Sequence, residues 1–262
     1  MNQRRMPDLP AAAVAALAAA ALFAILSLLV CTSWPPLVHF DAHLSADLHG
    51  VAVRHHGFTT VMRAVSAAGT TAAWLLILTP FLVWLTYRRQ TRLAVFVVLT
   101  ATLSSLLNTV VKAAVRRPRP HLSDPLAAAH ATSFPSGHAQ AAVVCVGLLA
   151  LILLPAATRR ARMWLVLAGV TIVLTIGVSR IALGVHYPFD VLGGYLLGAA
   201  WLLAMTYAFQ RGRWRDTPGA RSPSPASAPR GATVRQRLPS GSTTQLVASP
   251  TDPTPRENRE DG

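Results

Sequence analysis

Three short clusters in this 262-residue chain have the residue types and spacing to handle an anion. The first is Lys112-x6-Arg119-Pro120, the second Pro135-Ser136-Gly137-His138, and the third Ser179-Arg180-x5-His186-x3-Asp190. Lys112, Arg119 and Arg180 bring positive charge: arginine meets phosphate oxygens with a planar fork, lysine with a point charge. Ser136 and Gly137 stand just before an apolar run, where the first amides of a helix and the positive end of its dipole attract an anion. Gly137 lets the backbone come close to that anion. Cations in a partly dehydrated site are costly unless an anion joins them, so the implied ligand is a phosphate or a similar tetrahedral oxyanion. His138 and His186 are of the type that exchanges protons near neutrality. Asp190 follows His186 by four residues, and Pro188 suits a first helical turn. One such turn brings the carboxylate under the imidazole, which fixes its tautomer and strengthens it as a nucleophile.

The composition says what kind of element must hold these clusters. The chain is 52% hydrophobic and 13% charged, with mean hydropathy +0.42. A soluble domain carries about 25% charged residues, so that class is excluded, and so is a wholly disordered chain. Apolar runs lie at roughly 10–31, 71–87, 93–111, 138–157, 163–178 and 188–209, each near the ~17–25 residues that cross a bilayer. The first reads as a retained anchor, being long for a signal h-region and lacking a small-residue cleavage site. The net charge of +14 would suit a polyanion, but its distribution points elsewhere. Arg4/Arg5, Arg88/Arg89/Arg92, Arg159/Arg160/Arg162 and Arg211/Arg213/Arg215 fall on one side of a six-span arrangement. By the positive-inside rule that side is cytoplasmic, and no nucleic-acid partner is expected. Arg54, Arg63, Lys112, Arg116, Arg117, Arg119 and Arg180 fall on the other side, against the trend. All three clusters then share one membrane face and can converge on one pocket.

The remainder reads as support. Residues 32–70 are polar and histidine-rich, with a helical stretch from Asp41 to Ala64 suited to the outer interface. Residues 211–262 hold 8 of the 19 prolines and no long apolar run, and read as a disordered cytoplasmic tail. The expected division is an anchor and interfacial segment over 1–64, a catalytic core over 65–210 and the tail over 211–262. Arg116 and Arg117 read as surface charges or lipid-headgroup contacts. His39, Asp41 and His43 do not suit a metal, because their spacing turns the aspartate away from the histidine pair. His55, His56, His121 and His130 read as outer-loop residues. Most of Trp34, Trp74, Trp84, Trp164, Trp201 and Trp214 sit toward span ends, as interface anchors do. Cys145, inside an apolar run, reads as a small buried residue.

Taken in order, K-x6-RP, PSGH and SR-x5-H-x3-D resemble the pattern of the type-2 phosphatidic acid phosphatase family, whose superfamily includes glucose-6-phosphatase and vanadium haloperoxidases. The flanks agree: Arg117-Pro118 before Arg119-Pro120, Phe134 before Pro135, and Gly193-Gly194 after Asp190. The resemblance covers about residues 65–209. It implies that Lys112, Arg119 and Arg180 bind the phosphoryl oxygens, helped by Ser136 and the Gly137 amide. His186 would attack phosphorus, His138 would protonate the leaving oxygen and then activate water, and Asp190 would orient His186. Ser179, Pro120 and Pro135 would support the loops. The family needs no metal and no cofactor, because the cations supply the charge. The expected fold is all-α: a polytopic membrane bundle of six transmembrane helices with its active site at the outer membrane–water interface. The expected enzyme is a plasma-membrane lipid phosphate or diphosphate phosphatase, both termini cytoplasmic and its partners the bilayer and a lipid substrate. Polyprenyl diphosphate, phosphatidate, diacylglycerol pyrophosphate and phosphatidylglycerol phosphate are all open as substrates, as is the oligomeric state. Two rivals are a vanadate-dependent peroxidase, which the span layout disfavours, and a non-hydrolytic lipid transporter or binding protein, which would have no use for all of His138, His186 and Asp190.

Overall fold

A computed structural model of the chain describes residues 9–120, 122, 126–127 and 132–215. The expectations for Arg4/Arg5, His121, His130 and the tail beyond 215 lie outside the described residues. Those residues form eight α-helices: α1 (Leu9–Cys31), α2 (Pro35–Arg54), α3 (His56–Ala68), α4 (Thr71–Tyr87), α5 (Thr91–Val115), α6 (Gly137–Leu153), α7 (Arg159–Ala182) and α8 (Pro188–Arg215). Their starts follow local chemistry. Thr70, Ser136 and Thr158 cap α4, α6 and α7, each accepting the amide three residues on with its side-chain oxygen. Proline opens α2 and α8, where its missing N–H costs no helical bond. Arg116 ends α5 in the left-handed region (φ 53°), and Pro118 follows.

The segment read as one helix over Asp41–Ala64 is two, broken at His55, whose backbone is extended. Nor does α2 simply rest on the interface. Its buried residues are Leu37, Asp41, Ser45, His49 and Ala52, a stripe at helical spacing that is polar where it meets the bundle. His39 and His43 are exposed on the other side, apart from Asp41.

Helix α6 packs against α4, α5, α7 and α8, and α1 lies along α8. The contact of α6 with α8 is close because of two glycines. A Cβ on Gly194 would stand 2.5 Å from the Ser136 carbonyl oxygen, and one on Gly198 3.0 Å from that of Gln140. Between α5 and α6 a polar ladder takes over: Asn108 Nδ2 donates to Gln140 Oε1 (2.6 Å), and Gln140 Nε2 to Ser104 Oγ (2.8 Å) and Ser104 O (2.9 Å). Inside a bilayer such groups must satisfy one another. Leu85, Phe96, Val97 and Leu148 fill one end of the bundle. At the other end Phe134, fully buried, stacks on Phe23 of α1 (5.8 Å between centroids).

All six apolar runs coincide with helices, and large apolar side chains such as Leu17, Leu76 and Val83 point outward, as lipid contact requires. This is a multi-pass membrane protein. Four helices (α1, α5, α7 and α8) are long and apolar enough to cross, and α3 with α4 would make a fifth, bent by 52°. The fourth run, 138–157, differs from expectation in length: α6 is a 17-residue apolar helix that stops at Leu153, before Pro155. Two tryptophans also depart from the interface pattern. Trp74 is buried inside the bundle, and Trp201 donates its Nε1–H to Thr100 O (2.8 Å).

Candidate active site

The C-terminal ends of α5 and α7 meet the N-terminal ends of α6 and α8. Four hydrogen bonds fix the junction. Ser136 N donates to Asp190 O (2.9 Å), Lys112 Nζ donates to Ser133 O (3.1 Å) and Thr132 O (2.9 Å), and Arg119 Nη1 donates to Val185 O (2.6 Å). The three sequence clusters therefore share one site.

His186 sits in the turn between α7 and α8 and is almost fully buried. The turn is possible because Gly184 takes φ +74°, a conformation that strains any other L-residue, and because a Cβ there would meet His49 at 2.8 Å. Asp190 Oδ2 lies 3.5 Å from His186 Nδ1 and accepts the Tyr187 amide at 2.8 Å. A residue that the sequence clusters had missed completes this pair: Ser133 Oγ donates to Asp190 Oδ2 and stands 3.4 Å from His186 Nδ1. On the far side of the ring, Arg119 Nη1 is 3.4 Å from Nε2. A guanidinium can only donate, so this contact needs an unprotonated Nε2 and leaves the proton on Nδ1, facing the carboxylate. Burial pushes the His186 pKa down to about 4, even against the hydrogen bond and charge of Asp190, with Arg119 and Lys112 adding to the effect. The ring is neutral at pH 7, with its Nε2 lone pair turned toward Arg119.

Arg180 is buried in the last turn of α7, where its Nη1 donates to Ser66 Oγ of α3 and its Nε has no partner among the described residues. Lys112, Arg119, Arg180 and His186 all lie within electrostatic reach of His138. Ser136 is fully buried and its hydroxyl caps α6, accepting from Ala139 N at 3.5 Å. The Gly137 Cα faces Asn108, whose Oδ1 a Cβ would approach to 3.3 Å. Ser179 is buried and its hydroxyl donates to Ile176 O (2.6 Å). Pro135 is buried after a cis peptide bond, and Pro120 is half-buried in the segment that follows Arg119.

Arg117 is the main departure. Read from sequence as a surface charge or headgroup contact, it is instead a buried bridge: Nη1 donates to Asp190 Oδ1 (2.8 Å) and Nη2 to Asp41 Oδ2 (2.6 Å), with the side chain 11% exposed. Its neighbour Arg116 is exposed and turns back to Ala113 O. The left-handed residue at the end of α5 sends the two arginines apart.

Below the charged site a cavity of about 570 Å³ runs between α4, α5 and α6. Gly137, His138 and Asn108 line its polar end, and Trp74, Leu78, Val144 and Cys145 line its apolar part. Fixed donors and a neutral imidazole beside a carboxylate can receive a phosphate and attack it, and an apolar cavity opening from the same point can receive a hydrocarbon chain.

Helices, membrane and site together define an integral membrane protein built to handle a phosphate group. The PAP2 superfamily profile matches residues 93–214. Phosphatidylglycerophosphatase B of Bacillus subtilis is 33% identical over 168 residues, which are 62% of this chain and 82% of that protein. An undecaprenyl-diphosphatase of Sulfolobus acidocaldarius is 28% identical over 122 residues, 44% of this chain and 54% of its own length. Among solved structures, a transmembrane PAP2-type phosphatidylglycerolphosphate phosphatase from Bacillus subtilis superposes with TM-score 0.69 at 24% identity, over 75% of this chain and 96% of the other. LpxE of Aquifex aeolicus gives TM-score 0.50 at 25% identity, over 63% and 94%. The chain belongs to the PAP2 superfamily, in its membrane phosphatidylglycerophosphatase B-like branch. It is an enzyme of the lipid phosphate phosphatase kind.

Proposed function

We propose that this enzyme hydrolyses a lipid phosphate or diphosphate monoester, of the polyprenyl diphosphate or phosphatidate kind, through a phosphohistidine on His186. The observation that carries the reading is that His138 borders both the charged site and the 570 Å³ apolar cavity. A phosphate held by the cations would have its ester oxygen near His138 and its hydrocarbon chain in the cavity. The names of the two relatives, each a phosphatase of a lipid, support the same substrate class.

In the first step Nε2 of His186 attacks phosphorus as the bond to the leaving oxygen breaks. His138 gives that oxygen its proton; the incoming phosphate's negative charge offsets the surrounding cations and lets His138 carry it. Lys112, Arg119, Arg180, the Ser136 hydroxyl and the Gly137 amide hold the equatorial oxygens, where charge accumulates. The phosphorylated ring keeps its Nδ1 proton and becomes cationic beside Asp190. In the second step His138, now neutral, takes a proton from water; the water oxygen attacks phosphorus, the N–P bond breaks, and phosphate leaves. Splitting the reaction matters because phosphate monoesters need accelerations of up to ~10²¹-fold.

The same reading includes six spans, with α6 crossing as a short helix, both termini cytoplasmic and the site facing outward. It divides the chain into an anchor and interfacial part over 1–64, a catalytic core over 65–210 and a tail over 211–262. The test is phosphate release in detergent micelles with EDTA present, comparing a polyprenyl diphosphate, phosphatidate, diacylglycerol pyrophosphate and phosphatidylglycerol phosphate. Release should persist in EDTA and disappear in His186→Ala, and the rank order of rates should name the substrate class. Full activity in His186→Ala would refute the phosphohistidine.

A further inference from the structure

Asp41 is the one carboxylate that α2 buries completely, and its surroundings are unusual for a helix at the edge of a membrane bundle. A buried carboxylate must be paired or lose its charge. Burial raises the Asp41 pKa, against the Phe189 amide and Arg117, which pull it down. Oδ2 accepts a hydrogen bond from Arg117 Nη2 at 2.6 Å, and Oδ1 one from the Phe189 N–H at 3.0 Å. Both partners lead to Asp190. Arg117 reaches it through its other nitrogen, and Phe189 is its neighbour in the first turn of α8. The Tyr187 ring lies 4.3 Å from the guanidinium carbon and closes the third side.

The charges matter as much as the geometry. Arg117 alone would cancel the charge of Asp190, leaving His186 beside a neutral pair. With Asp41 the group carries two negative charges and one positive, so a net negative charge remains next to the imidazole. That is the state the reaction needs, because the ring becomes cationic when its Nε2 is phosphorylated. We propose that Asp41, acting through Arg117, is a positioning residue for the hydrolytic reaction: it holds Asp190 against His186 and preserves the negative charge that Arg117 would otherwise cancel. This rests on the phosphohistidine reading above.

The experiment uses the full-length enzyme in micelles with whichever lipid phosphate the wild type hydrolyses fastest, and the variants Asp41→Asn, Asp41→Glu and Arg117→Gln. An asparagine can accept from Arg117 or from the Phe189 amide but has lost the charge. Asp41→Asn should lower kcat about tenfold with KM changed less than about twofold, the pattern for an interaction that matters mainly in the transition state. The acid limb of kcat/KM gives a readout that a packing role would not move. Around His186 stand Lys112 from α5, Arg119 from the following segment, His138 from α6 and Asp190 from α8, with Arg180 of α7 acting on His138, and none of them is altered by the variants. Removing a negative charge should move the limb to lower pH in Asp41→Asn, and removing a positive one should move it to higher pH in Arg117→Gln. Asp41→Glu, which keeps the charge, should leave the limb in place, and it carries the test if the asparagine variant does not fold. Unchanged kcat in a folded Asp41→Asn, limbs that move the same way in Asp41→Asn and Arg117→Gln, or a displaced limb in Asp41→Glu would each overturn the proposal while wild-type turnover stands. A wild type that releases no phosphate from any of the lipids would remove the hydrolytic reading and this inference with it.

Discussion

Helix α7 carries arginines at both ends, and the two ends could hardly differ more. Arg159 and Arg160 open the helix exposed, and Arg162 donates to Leu154 O in the preceding turn. A cation at a helix N-terminus opposes the helix dipole, so helix electrostatics does not account for these residues; in the proposed topology their cytoplasmic side does. Arg180, near the C-terminal end, sits where the dipole favours a cation, yet it is buried, with one bond to Ser66 and a buried nitrogen left over. Leaving a buried donor unpaired costs about 1–3 kcal/mol, a cost that a bound anion would remove. On the proposed reading, the same residue type sets topology at one end and holds phosphate at the other. Exposure and partners, rather than charge, separate the two roles.

The sharpest way to break this contrast is to make one substitution at both ends. Arg180→Gln should lower kcat/KM by about 10²–10³-fold, the usual cost of removing one donor from a developing oxyanion, with the change measured on the preferred lipid phosphate. Addition of guanidinium ion should restore part of the rate if the missing group is a phosphate ligand. A loss of less than about threefold would put Arg180 among the structural charges and leave Lys112 and Arg119 to hold the phosphate.

A second prediction concerns pH. A histidine whose pKa is lowered in the folded enzyme stays neutral, hence nucleophilic, below its ordinary value near 6.5. Since His186 is pushed down to about 4, its protonation should not limit kcat/KM until the pH approaches that value. The sign for stability is the reverse of an advantage in acid. The unfolded chain takes up a proton on this ring as pH falls through about 6.5, whereas the folded one does not. The contribution of His186 to stability is therefore whole above that pH and lost progressively down to about 4. Replacing it with glutamine should flatten the fall in thermal midpoint between those limits. An equally steep fall in the variant would assign the acid sensitivity to other groups.

How much of this was legible in the sequence depended on how local each signal was. The motif residues stood out because Lys112 is the single lysine, Asp190 is one of only ten acidic residues, and Arg119 and Arg180 fall against the one-sided trend of the other arginines, at spacings tied to the histidines. The apolar runs gave the helices for the same reason: composition and length are local. The bridge from Asp41 through Arg117 to Asp190 was not readable, because its partners lie 76 and 73 residues apart and only the packing of α2 against α8 joins them. Ser133 escaped for a related reason, since a serine three residues before Ser136 has no signature until the chain folds back on Asp190. The span count was limited differently. Hydropathy reports that a run is apolar, but it does not report where Pro155 lets α6 end or that α3 leans 52° into α4.

The smallest expected effect lies at the exposed end of α7. Arg160→Gln should change kcat and KM by less than about twofold, since an exposed charge without a fixed partner contributes little to a distant site. Its influence belongs to insertion, and Cys31 offers a native reporter for that. Cys31 ends α1 on the side of the catalytic cluster and is exposed, whereas Cys145 is buried within α6. If the site faces outward, a membrane-impermeant maleimide should label intact cells at Cys31, and a Cys31→Ser variant should lose the label. Removing Arg159, Arg160 and Arg162 together should reduce the labelled fraction while the molecules that remain correctly inserted keep their specific activity. Labelling that appears only after the cells are opened would place the charged cluster inside, and would show that these arginines do not obey the topological rule by which they were read.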